Sequence, residues 1–94
     1  MIISISPKKA FFKFRVTLSN RFFIIHMKWS TRYEFYSVDI YEGETPIILG
    51  RGLHPNIDLF SGLNLGIGRL YLSGAVPTIE NLGNTNSLIY EPET

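Results

Sequence analysis

Ninety-four residues with 45% apolar, 14% aromatic and only 18% charged content describe one small domain and exclude an intrinsically disordered tail. A chain of this length buries roughly 60–65% of its unfolded surface, enough for one modest core but not for a roomy enzyme cleft. The net charge is +1, yet it is unevenly spread: residues 1–32 carry +7 and the remainder −6. Such a split suits head-to-tail packing of copies or a basic surface facing an acidic partner; equally, the two halves can neutralise each other across one sheet.

The chain has no cysteine, which removes disulfides, thiolate metal sites and cysteine nucleophiles. Met1–Ser6 is too short for a secretory h-region, and Pro7-Lys8-Lys9 follows where a cleavage site belongs. The longest apolar run is Phe22–Ile25, far below a membrane span. The expectation is a soluble chain made in a cytoplasm or in an assembly built there, with no membrane partner.

The dominant period is two. Ile2–Ile5 can add an N-terminal strand through Ile3 and Ile5. In 13–18, Phe14, Val16 and Leu18 alternate with Lys13, Arg15 and Thr17, as a half-buried strand requires. Ser19-Asn20-Arg21 reads as a turn. In 22–29, Phe23, Ile25, Met27 and Trp29 share one face and Phe22, Ile24, His26 and Lys28 the other, so the two segments form a hairpin. Ser30-Thr31-Arg32 is the next turn. Residues 33–41 make a third strand, with Tyr36, Val38 and Ile40 inward and Glu34 at its mouth.

Glu42-Gly43-Glu44-Thr45 turns the chain into a short strand at 47–49, with Pro46 at its start. Gly50 and Gly52 predict a bulge or sharp corner. His54-Pro55-Asn56 is a loop, and 57–60 is a short strand or a helical turn. Strands at 69–73 and 87–90 follow, separated by a loop around Pro77 to Asn86. No stretch shows a 3.6-residue stripe. The predicted fold is all-β: a single small antiparallel barrel or sandwich of six to eight short strands spanning 1–94.

No catalytic constellation emerges. A triad needs a base, and His26 lies mid-strand while His54 precedes Pro55 in a loop. Two histidines 28 residues apart, without HxH or HxxxH spacing, do not make a zinc site, so no metal is expected. Glu42 and Glu44 read as solvated turn charges rather than a glycosidase pair. Gly62–Gly68 matches neither the P-loop nor the dinucleotide fingerprint, so no cofactor is expected. What remains is an interaction surface. Lys8, Lys9, Lys13, Arg15, Arg21, Lys28 and Arg32 are the candidate partner-interface residues. Four of them (Lys13, Arg15, Lys28 and Arg32) are interleaved with Phe11, Phe12, Phe14, Phe22 and Phe23, as in single-strand nucleic-acid binders. The acidic second half opposes phosphate binding and disfavours that alternative, an OB-like module.

The order of these features resembles the cyanophage-type baseplate plug family of contractile-tailed phages. The likeness rests on Phe14-x-Val16-x-Leu18, the aromatics Phe22/Phe23, Met27–Trp29 running into Ser30, and Tyr36-Ser37-Val38-Asp39-Ile40. It continues through Glu42-Gly43, Gly52-Leu53, Asp58–Phe60, Gly68–Leu72, Pro77, Leu82-Gly83 and Leu88-Ile89-Tyr90. The family-like core covers 13–90; Tyr36 stands where the family often has Trp, and 1–12 forms an N-terminal arm or extra strand. The resemblance implies a non-enzymatic virion protein of the tail baseplate, assembled in the host cytoplasm. Such a plug closes or bridges the channel near the tube–spike junction and meets the tail hub or the tape-measure protein. It also implies a homo-oligomer. The arm is expected to add to a neighbour's sheet edge, since unpaired edges invite pairing.

Overall fold

The computed structural model describes residues 2–5, 8–63 and 65–92. Met1, Ser6 and Pro7 lie outside them, as does residue 64 within the Gly62–Gly68 stretch. Among the described residues seven strands form two antiparallel sheets with no helix, and the sheets do not close into a barrel. The strands are β1 (Ile2–Ile3), β2 (Phe11–Leu18), β3 (Arg21–Ser30), β4 (Phe35–Glu42), β5 (Thr45–Gly52), β6 (Gly68–Gly74) and β7 (Asn86–Pro92). One sheet has the order β2-β3-β4-β5, and the other β1-β7-β6. The fold is a small sandwich.

The four-stranded sheet is a meander of consecutive hairpins, each set by its turn. Ser19 and Asn20 take φ of 52° and 63°, so a two-residue turn of the I′ kind joins β2 to β3. That turn is one residue shorter than the Ser19–Arg21 turn expected from sequence, and Arg21 opens β3 opposite Leu18. Between β3 and β4 the reverse holds. Tyr33 and Glu34, expected in the strand, belong to the turn: the Glu34 N–H donates to the Ser30 carbonyl at 2.7 Å and Glu34 itself sits at φ 55°. In β5 the register shifts around Asp39, opposite Leu49 and Gly50. This is the bulge that the glycines predicted, with Gly50 at φ 73° and its N–H held by Asp39 Oδ1 at 2.7 Å.

The period of two puts Phe23, Ile25, Met27, Tyr36, Val38, Ile40 and Ile48 on the buried face. They meet Leu70, Leu72, Leu88 and Tyr90 of the other sheet in one core, which Leu53, Leu59, Phe60, Ile67 and Leu82 close from the loops. Trp29 is half-buried and packs edge-on to Tyr36. Full burial of so many large side chains is the principal stabilising term for a chain without disulfides.

The three-stranded sheet is assembled from distant parts of the chain. β1 lies on β7 of its own chain, Ile2 opposite Ile89, and it spans two residues rather than the four anticipated. Residues 11 and 12, counted above with the arm, open β2. Ile5 is fixed by a close approach to Gly83 (φ 83°), where an added Cβ would come within 1.6 Å of the Ile5 carbonyl oxygen. Residues 57–60 form neither a sheet strand nor a helix but run as a turn along β6. Asn56 and Leu59 donate to the Leu72 and Leu70 carbonyls, both at 2.7 Å, and Asp58 Oδ1 accepts from the Phe60 and Leu70 N–H groups at 3.0 Å. The buried Asn86 ties 75–86 together through Gly83, Ala75 and Asn81.

Candidate functional site

The register of the four-stranded sheet sorts the basic residues into separate places. On the face turned away from the core, Lys13 stands opposite His26 and Asp39, Arg15 opposite Ile24 and Tyr41, and Phe11 opposite Lys28 and Ser37. Phe11, His26 and Tyr41 form a ring ladder across three strands, with centroids 6.2 Å and then 5.1 Å apart. Phe11 and Phe22 are 53% and 45% exposed, which marks this as an outer surface. A depression of about 220 Å³ on the β2–β3 side is bounded by Lys13, Phe14, Arg15, Ile24 and His26.

Electrostatically this face is unbalanced. Lys28 approaches Asp39 Oδ2 at 3.7 Å, a loose pair that is more than half exposed on the lysine side and contributes little to stability. Lys13 and Arg15 have no ion-pair partner among the described residues. Two free cations and an ordered row of rings give a surface suited to carboxylates and apolar groups of a partner.

The other candidates lie elsewhere. Arg21 faces the inner side: its Nε and Nη2 donate to both Glu42 oxygens at 2.7 and 2.6 Å, Nη1 reaches the Leu65 carbonyl at 3.3 Å, and the guanidinium stands over the Phe23 ring. The fork of hydrogen bonds from Arg21, aided by its charge, holds the Glu42 carboxyl below the usual carboxylate range, and the Arg21 guanidinium is raised in turn. This pair closes the rim of the core. Arg32 lies over the Tyr33 ring in the β3–β4 turn. Lys8 and Lys9 are exposed on the segment before β2, where the Lys9 carbonyl accepts the Tyr36 hydroxyl at 2.8 Å. Burial pushes that phenol above its ordinary range.

Of the five phenylalanines that suggested a stacking platform, Phe12, Phe14 and Phe23 turn toward the core. The period of two requires this, because residues adjacent in sequence point to opposite faces. Sequence reasoning missed the Phe11–His26–Tyr41 ladder. It was within reach, since a two-residue turn at 19–20 places Lys13 opposite His26 by counting alone. His54 stacks on Phe35 at 6.0 Å, at the far end of the strands from the Ser19–Asn20 turn. Among the described residues no three His, Asp or Glu side chains gather where they could hold a metal ion.

No curated protein matches the chain. A family model does: that of the cyanophage baseplate Pam3 plug gp18 matches residues 1–93, nearly the whole chain. The chain therefore belongs to the cyanophage baseplate plug family, and it is a structural component of the virion baseplate.

Proposed function

We propose that the chain acts as a non-enzymatic plug that closes or bridges the tail channel near the tube–spike junction. It does so by packing against the tail hub or the end of the tape-measure protein, in copies related by the tail's rotational symmetry. The observation that carries this reading is the exposed face bearing Lys13, Arg15 and Lys28 around the Phe11–His26–Tyr41 ladder. A packing surface needs apolar rings for burial and charges for register, and it needs no cleft. An acidic ring on the partner supplies the complement to this face.

The test is a Lys13→Glu/Arg15→Glu/Lys28→Glu variant, counted in gradient-purified tails by quantitative mass spectrometry. The expected result is at least tenfold fewer copies per tail, with the melting temperature of the isolated protein within a few degrees of wild type. Incorporation at the wild-type copy number would overturn the assignment of this face. Salt-dependent binding of the wild-type protein to oligonucleotides would instead favour nucleic acid as its partner.

A further inference from the structure

Among the described residues, three of the four sheet edges are closed or broken. The outer edge of β6 is covered by residues 55–60, whose backbone and Asp58 carboxylate occupy the Leu70 and Leu72 groups. β1 is two residues long. β5 carries Pro46, which has no N–H, and its bulge bends the strand. β2 has none of these devices: it is eight residues long, regular, and among the described residues paired only with β3.

The hydrogen-bond phase of β2 follows from one bond. The Trp29 N–H donates to the Ala10 carbonyl at 2.6 Å, so residues 10 and 29 form a hydrogen-bonded pair. With the observed register, 12/27, 14/25, 16/23 and 18/21 are the other such pairs. The N–H and C=O groups of Phe11, Lys13, Arg15 and Thr17 therefore point away from β3, and no other described residue accepts from or donates to them. On the core side of the same edge, Phe12, Phe14 and Val16 are only partly buried, and among the described residues no further strand covers them.

We infer that the free edge of β2 takes up an extended strand of a different baseplate chain, one with carboxylates at alternate positions. Antiparallel pairing with β2 of a second copy in the register 11/17, 13/15 sets Lys13 against Arg15, and the registers 11/15, 13/13 and 13/17, 15/15 set Lys13 or Arg15 against its own copy; like charges directly opposed are destabilising. Nor do the chain's other edge strands fit, since neither Ile2–Ile3 nor Thr45–Gly52 contains a carboxylate. A partner strand with acids on its outer side neutralises Lys13 and Arg15, and its inward apolar residues cover Phe12, Phe14 and Val16. This docking is read from backbone geometry, and it does not depend on where in the baseplate the protein sits.

Amide hydrogen exchange, resolved by residue, tests it on the isolated protein and on purified baseplates. In isolation, Lys13, Arg15 and Thr17 should exchange fast and Phe14 and Val16 slowly. In baseplates all five should be slow; continued fast exchange of the first three would overturn the inference. A Thr17→Pro variant removes one edge donor without altering charge, so it separates backbone pairing from the face contact probed by charge reversal. Its affinity for a capped peptide of about eight residues alternating glutamate with valine should fall about fivefold, as loss of one hydrogen bond implies. An unchanged affinity, no binding of the peptide by wild type, or equal binding of a lysine–valine peptide would each count against it.

Discussion

The two sheets solve the same problem in different ways. The four-stranded sheet is local: each strand pairs with the next in sequence, and alternating side chains plus short turns specify it. The three-stranded sheet joins residues 2–3 to 86–92 and depends on a few single-residue anchors, namely Gly83, Asp58 and Asn86. The difference teaches where each is vulnerable. Stability concentrated in anchors is lost by one substitution, whereas stability spread over cross-strand pairs tolerates changes on its outer face. That tolerance leaves the outer face free to serve a partner.

The largest effect should come from Gly83→Ala. A methyl group there meets the Ile5 carbonyl in a backbone conformation unfavourable to alanine, and we expect a loss of about 3 kcal/mol in urea unfolding. Exchange protection of β1 should vanish with it; a loss below about 1 kcal/mol would show that the segment can move aside without cost. Asp58→Ala should come next. It strips acceptors from the Leu70 and Phe60 N–H groups and exposes the β6 edge, for about 2 kcal/mol and a new tendency to self-associate in light scattering.

These anchors also mark what was hard to read in the sequence. The meander was legible because Phe14, Val16, Leu18 and Phe23, Ile25, Met27 repeat at the pleat period. Residues 57–60 were not, because Asp58 closes a sheet edge through backbone bonds to Leu70 that leave no periodic trace. Gly83 stands in the sequence only as part of Leu82-Gly83, because the close approach of Ile5 depends on tertiary placement. At the candidate site the basic residues were legible as a group. Their division into Lys13, Arg15 and Lys28 on the face, and Arg21 at the core rim, required the register.

Smaller effects sharpen the contrast. Tyr36→Phe removes the hydroxyl that holds the Lys9 carbonyl and should cost about 1 kcal/mol, measured by urea unfolding, without changing the sheet. Glu42 should act through pH. Its carboxyl is lowered in the folded state, so its stabilising contribution is present above the ordinary carboxylate range and is lost as pH falls through the lowered value. Melting temperature measured from pH 6 downward should therefore fall less steeply for Glu42→Gln than for wild type. Parallel acid limbs would mean that the Arg21 fork adds nothing to the rim.

The most direct measurement is a cryo-electron microscopy reconstruction of the assembled baseplate, with side chains visible at the plug. The expected result is that the outer face of β2–β5, with Lys13, Arg15 and Lys28, is buried against acidic groups of another chain, while the loop covering β6 stays free. A plug that contacts its neighbours through the three-stranded sheet, with those three cations in solvent, would contradict the account.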